Sequence, residues 1–320
     1  MHTQHTWLGI GAGIAAGALW GLVFLAPELT HGFSALQLSA GRYLAYGLVA
    51  ALLIAPAWKR VAPRLTRREW WTLAWLSPAG NVVYYIFLAN AVRSGGVAMA
   101  SLVIGLSPLA VTLLGSRSRN DPHALPLRRL LPSLLLGFAG LLCISWEALW
   151  QSGPGSLFGL LCALGALASW TLYAIGNSRV LARLNTVTAH EWSLLTGVMT
   201  GAQALVLAVP AFWFASSVHA PAEWLEFAGV VTGVAILCSI IGNGLWNVAS
   251  RTLPMSLMGQ MIIFETVFAA LYGWLWEARL PSVLECAAML LLVGGVVSCA
   301  SAHRNAARKD QLPQVGNAVC

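Results

Sequence analysis

The chain has 320 residues, of which 58% are hydrophobic and only 9% charged, with a formal net charge of +7. Soluble domains carry about 25% charged residues, so this composition excludes a soluble enzyme or binding module and describes an integral membrane protein. The cysteines Cys143, Cys162, Cys238, Cys286, Cys299 and Cys320 show no CxxC pairing and lie mostly within apolar runs, so no disulfide framework and no metal site is expected.

The N-terminus, MHTQHTW, has no basic segment of the signal-peptide kind, so the first apolar run is expected to remain as a helix. Within it, GIGAGIAAGALWG sets Gly9, Gly13, Gly17 and Gly21 at steps of four. In a soluble helix each would cost about 1 kcal/mol against alanine. In a bilayer the same spacing lays a groove along one face, into which a neighbouring backbone packs. A helix of about 20 apolar residues crosses a hydrocarbon core of roughly 30 Å. Runs of that kind fall near 7–26, 36–57, 70–92, 97–115, 129–148, 157–178, 190–213, 226–249, 255–276 and 282–301. The short connections RSGG and RTLP make the runs they join antiparallel.

Basic residues divide unevenly between alternate connections. Lys59, Arg60, Arg64, Arg67, Arg68, Arg117, Arg119, Arg128, Arg129, Arg179, Arg183 and Arg251, with Arg304, Arg308 and Lys309 of the tail, fall on one side, and Arg93 and Arg279 on the other. The positive-inside rule then places both termini in the cytoplasm. The net charge sets topology, and no nucleic-acid partner is expected.

A shift of 158 superimposes residues 93–115 on residues 251–273 without a gap, pairing Arg93 with Arg251, Ile104 with Ile262 and Gly115 with Gly273. A shift of 150 pairs Trp20 with Trp170. Five runs per half is an odd number, so the halves insert with opposite orientation. The expected fold is all-α, ten transmembrane helices as two inverted five-helix repeats: residues 1–150, residues 151–303, and a cytoplasmic tail over 304–320. Inverted repeats of this kind carry a substrate site near the midplane between the halves.

The stretch FETVFAALYGWLWEARLPSVLECAAMLLLVGGVV, residues 264–297, resembles the last two helices of the EamA branch of the drug/metabolite transporter superfamily, and LSPLAVTLLG, residues 106–115, echoes it in the first half. Thr266 stands where that family usually has proline, and Trp276 where glycine commonly precedes Glu277. Within the family the chain is most similar to the YddG-type exporters of aromatic amino acids. The resemblance implies a bacterial inner-membrane location and secondary export of small amphipathic metabolites, aromatic amino acids foremost, by alternating access. It implies a small-molecule substrate and the lipid bilayer as partners and no cofactor, and leaves the oligomeric state open.

Ionisable groups inside a bilayer cost a few kcal/mol each, which makes those that persist candidates for function. Glu265 lies centrally in the ninth run, open to a proton-titrating or ammonium-binding role or to a structural one. Arg42 lies within the second, open to a substrate carboxylate or to a backbone carbonyl. His190 and Glu191 read as the interfacial start of the seventh run. A second set is polar and aromatic. Asn81, Tyr85 and Leu88 share a face of the third run, and the 158 shift maps them onto Ser239, Asn243 and Trp246. Trp170, Tyr173 and Asn177 recur at helical spacing in the sixth run, with Trp20 at the matching place in the first and Asn247 beyond Asn243. Rings with polar tips and amides suit a zwitterion or amide with a flat apolar side chain. Trp70, Trp71, Trp213 and Trp224 lie near span ends and read as interface anchors.

Other classes fit less well. A nucleotide-sugar carrier needs several buried cations for phosphate, and Arg42 is the one deep arginine. A small multidrug exporter would show a carboxylate in its first span. His190-Glu191 begins like HExxH, but Leu194 stands at the second ligand position. No GxSxG and no GxxxxGK[ST] occurs, so neither hydrolase chemistry nor nucleotide-driven transport is expected.

Overall fold

The computed structural model describes residues 2–115, 127–150, 154–181, 183–184, 186–214, 219–252 and 261–310. Every regular element among them is helical, the principal helices being α1 (His2–Gly21), α2 (Ala35–Ile54), α3 (Arg67–Ser77), α4 (Val83–Gly95), α5 (Val97–Ile104), α6 (Ser107–Gly115), α7 (Leu127–Trp150), α8 (Pro154–Leu181), α9 (Ala189–Trp213), α10 (Pro221–Val234), α11 (Asn243–Thr252), α12 (Ile263–Trp276) and α13 (Val283–Asp310), with single turns and 3-10 segments between some of them. A π-helical segment, Pro78–Val82, joins α3 to α4, and another, Ala235–Gly242, joins α10 to α11. Six described helices are long and apolar enough to cross a membrane: Trp7–Phe24, Ala35–Arg64, Arg67–Gly95, Leu157–Leu181, Ala189–Trp213 and Pro221–Trp246. Val97–Val111, Ile263–Trp276 and Val283–Ser298 are apolar but shorter. Residues 253–260, with most of the expected start of the ninth run, and the loop holding Arg117 and Arg119 lie outside the described residues.

Local chemistry fixes where helices begin. Ser34 accepts from the Gln37 amide while the Gln37 side chain accepts from the Ser34 amide, a reciprocal cap that opens α2. Thr66 with Glu69 opens α3 in the same way, and Thr188 with Glu191 opens α9. Each cap satisfies amides that the first helical turn leaves without partners. The fourth expected run is broken: Gly105 and Leu106 interrupt it between α5 and α6, just ahead of Pro108.

The glycine groove on α1 receives α12. A Cβ at Gly17 would lie 2.8 Å from the Phe264 Cβ and 2.9 Å from the Glu265 backbone nitrogen, and one at Gly21 would lie 2.9 Å from the Ala269 nitrogen. At Gly13 the nearest neighbour is instead the flexible Met261 side chain, at 2.8 Å. α2 crosses α9 closer still, with the Cα of Gly47 2.6 Å from where a Gly201 side chain would begin. The other principal pairings are α4 with α8, α7 with α13, α5 with α12 and α1 with α11.

The two ends of the bundle differ in chemistry. At the arginine-rich end, Arg60 Nη2 donates to Glu191 Oε1 at 2.6 Å and Thr186 donates to Glu69 at 3.1 Å. At the other end, Arg279 makes a two-pronged contact with Glu285, both distances 2.6 Å, and a third with Glu277. Arg93 donates to the Thr30 carbonyl. Burial holds the Glu28 carboxyl there above the usual carboxylate range, with His31 at 3.1 Å acting against it. Beside them Phe33 stacks on His219 at 4.0 Å and on Phe227 at 4.2 Å, and meets the edge of Trp224 at 4.9 Å.

Candidate functional site

A cavity of about 580 Å³ lies between the helices of the two halves of the chain. α8 contributes Trp170, Tyr173 and Asn177 to its wall, the first π segment Gly80 and Asn81, and the second Cys238 and Ser239. Trp20, Arg42, Tyr43, Tyr46, Asn243, Trp246 and Glu265 complete its deeper part, and Leu181, Ala189 and His190, all solvent-exposed, form its rim at the arginine-rich end. At the opposite end lies the Phe33 stack, where Gly41 lets Phe227 press against α2.

The polar groups differ in how far they are committed. Trp20 Nε1 donates to the Cys238 carbonyl at 3.0 Å, and its ring lies 5.1 Å from that of Trp246. Asn81 Nδ2 donates to the Ser77 carbonyl and to Thr200 Oγ1, both at 3.1 Å, which leaves its amide oxygen as an acceptor. Asn177 Oδ1 accepts from Trp192 Nε1 at 2.8 Å, leaving its amide hydrogens as donors. The π segments matter for this geometry, because a π bulge turns side chains out of the ordinary helical register and exposes backbone groups, and such bulges recur at functional sites.

The charged groups of the cavity form no ion pair among the described residues. Arg42 is only 8% exposed, and its Nε and Nη1 have no hydrogen-bond partner. Its guanidinium carbon lies 4.2 Å from the Tyr85 ring centre and 5.1 Å from that of Tyr43. Desolvated cation–π contacts are worth up to about 2 kcal/mol, against an insertion cost of about 2.5–3.5 kcal/mol for a central arginine. The rings therefore hold the cation in place and offset much of its cost while leaving the Nε and Nη1 hydrogens without partners among the described residues. Glu265 faces the same cavity from the first turn of α12, and its carboxylate has no hydrogen bond or ion pair among the described residues.

Of the residues singled out in the sequence, Trp20, Arg42, Asn81, Trp170, Tyr173, Asn177, Asn243, Trp246 and Glu265 are gathered around this one cavity. Tyr85 is not: it is fully buried behind Arg42, with Leu88 equally buried below it. The π segment explains the departure, since its wider i→i+5 turn over Pro78–Val82 rotates Asn81 out of the α-helical register that Tyr85 follows. The Asn247 side chain lies outside the described residues. Glu191 belongs to the Thr188 cap and Arg60, as an interfacial helix start should, while His190 stands at the rim. Trp71 and Trp213 project outward, whereas Trp224 joins the Phe33 cluster. Sequence reasoning missed Tyr43, Tyr46, Tyr84, Trp192 and Thr196. Arg42 and Tyr46 are four apart, one helical turn, and that spacing was the available signal for Tyr46.

Gly80 lies directly beneath the Tyr173 ring, so a side chain there must displace a cavity wall. Gly80→Leu is expected to lower ligand affinity at least about tenfold, the cost of about 1.4 kcal/mol of lost or strained packing. Gly229→Leu, with nothing within 4 Å of its Cβ position, should leave affinity unchanged. Isothermal titration of both variants in detergent checks the pair.

The EamA-like transporter family model matches the chain twice, over residues 7–146 and 157–300. The inner membrane protein YtfF of Escherichia coli (strain K12) is 31% identical over 302 residues, covering 90% of this chain and 94% of that protein. An uncharacterized transporter of Archaeoglobus fulgidus is 23% identical over 82% of this chain and 86% of its own length. YoaV of Bacillus subtilis (strain 168), also named as an uncharacterized transporter, is 23% identical over 64% of this chain and 65% of its own. A protein of known crystal structure shares the fold with a TM-score of 0.62 at 20% identity, over 95% of this chain and 99% of that one. With an all-helical membrane architecture and both halves matched by one family model, the chain belongs to the EamA-like transporter family and is a membrane transporter.

Proposed function

We propose that the protein is a secondary exporter of small amphipathic metabolites, aromatic amino acids foremost, of the YddG type, working by alternating access in the bacterial inner membrane with both termini cytoplasmic. The observation that carries this reading is the cavity: indole and phenol rings, half-committed amides and two opposite charges around about 580 Å³, with a solvent-exposed rim at the arginine-rich end. Such a wall suits a flat apolar side chain joined to a polar head.

Helix pairing supports ten spans in two inverted repeats, with residues 1–150 and 151–303 as the halves. A two-fold axis in the membrane plane pairs some helices with their own counterparts and exchanges the rest. Read as spans, α2 with α9, α5 with α12 and α7 with α13 are self-paired, while α4 with α8 and α1 with α11 exchange. The two π segments also fall in corresponding spans, the third and the eighth. Rocking of one half against the other then moves the opening from one face to the other.

The test is uptake into proteoliposomes of labelled tryptophan, phenylalanine, threonine and a nucleotide sugar, with and without a pH gradient. Saturable uptake of the aromatic amino acids is expected, with threonine weaker and the nucleotide sugar excluded. Uptake of the nucleotide sugar alone would replace the reading with that of a phosphate-bearing substrate.

A further inference from the structure

Arg42 and Glu265 both face the cavity, carry opposite charges, and do not pair with each other. Two opposite charges sharing a low-dielectric cavity would ordinarily close on one another, because attraction at contact far exceeds attraction across a gap. Here Arg42 is held back by Tyr85 and Tyr43, whose rings fix its guanidinium while Nε and Nη1 remain without partners. Glu265 is held back by its place at the start of α12, whose backbone is locked against Gly17 of α1. The gap between the charges is therefore built into the packing.

Resting on the transporter reading above, we infer that Arg42 and Glu265 are the specificity-determining poles of the site: Arg42 receives the carboxylate of a zwitterionic substrate and Glu265 its ammonium group. A guanidinium offers a planar fork of donors that matches a carboxylate, and a carboxylate accepts from an ammonium. Trp20 and Trp246, tilted against each other at 5.1 Å, and Trp170 with Tyr173 of the same cavity wall then hold the side chain between them. A substrate lacking one pole leaves the opposite protein charge buried and unanswered, which makes the site reject simple acids and simple amines alike.

The experiment uses the full-length protein in detergent and compares tryptophan with tryptamine, which lacks the carboxylate, and indole-3-propionate, which lacks the ammonium group. The wild-type protein is expected to bind tryptophan about 10- to 100-fold more tightly than either analogue, the range that charge-assisted hydrogen bonds give. The variants should then cross over. Arg42→Gln is expected to weaken tryptophan and indole-3-propionate by a similar factor while sparing tryptamine. Glu265→Gln should weaken tryptophan and tryptamine while sparing indole-3-propionate. Equal affinity of the wild-type protein for all three compounds, or an equal loss of all three in either variant, would overturn the assignment. The wild-type comparison decides even where a variant does not fold. Leucine with its own amine and acid analogues separates the two readings: the same crossover on leucine with no binding of tryptophan keeps the poles and removes the aromatic preference.

Discussion

Gly17→Leu is expected to abolish folded, monodisperse protein after detergent extraction, while Gly11→Leu, less than two helical turns away, is expected to leave the yield within about twofold of wild type. Both glycines lie in α1, and both substitutions raise intrinsic helix propensity equally, glycine being about 0.8–1.0 kcal/mol poorer than alanine and leucine ranking next to alanine. What differs is the space outside the helix. Around Gly11 nothing lies within 4 Å of the Cβ position. At Gly17 the new side chain meets the Phe264 Cβ at 2.8 Å and the Glu265 backbone nitrogen at 2.9 Å, and backbone does not rotate away as a side chain does. Overpacking costs about 1–3 kcal/mol where side chains give, and more where a helix must move bodily, against a total stability of about 5–15 kcal/mol. Gly13→Leu should be milder than Gly17→Leu, because the obstacle there is the end of Met261. Fluorescence-detected size-exclusion chromatography with a melting measurement gives the ranking Gly11, Gly13, Gly17 directly. Equal yield for Gly11→Leu and Gly17→Leu would mean that α1 and α12 do not pack through this groove.

That ranking shows where sequence reasoning reaches and where it stops. Four glycines in register announce a close approach, and the spacing names the face, but nothing in α1 says that α12 is the partner. The apolar runs were legible because a bilayer demands them, and the reciprocal caps are visible as Ser34 to Gln37, Thr66 to Glu69 and Thr188 to Glu191. The stripe Trp170, Tyr173, Asn177 follows helical period and does face the cavity. Asn81, Tyr85 and Leu88 follow it equally well, yet a π segment between Pro78 and Val82 shifts the register, and Tyr85 becomes the support of Arg42 instead of a wall of the cavity. Period assumes an unbroken α-helix, so a bulge is invisible to it. Tyr43 and Trp192 were missed for a related reason: each reaches the cavity beside a residue that drew attention for its charge, Arg42 and Glu191.

Ser193→Cys and Ser239→Cys are expected to react with a membrane-impermeant thiol reagent at least about tenfold faster from the arginine-rich face than from the other, and to be protected by bound substrate. Ser193 is exposed in the first turns of α9, near the rim formed by His190, where its carbonyl accepts from the Tyr46 hydroxyl, and the exchange of oxygen for sulfur keeps its size and backbone contacts. Ser239 lies deeper, in the second π segment. Its reaction therefore reports that the reagent travels along the cavity and does not merely reach its mouth. The native Cys238 next to it is buried and donates to the Leu19 carbonyl at 3.0 Å, which keeps it a slow background. His31→Cys, in the shallow pocket beside Phe33 at the far end, should label from the opposite face and resist protection. Inverted and right-side-out vesicles present the two faces separately, and the positive-inside rule makes the arginine-rich face the cytoplasmic one. Labelling of Ser239→Cys from the arginine-poor face in unliganded protein would show the cavity to be open to that face at rest. Slow labelling from that face, accelerated by substrate on the cytoplasmic side, is the signature of a carrier whose loaded form turns the same site outward.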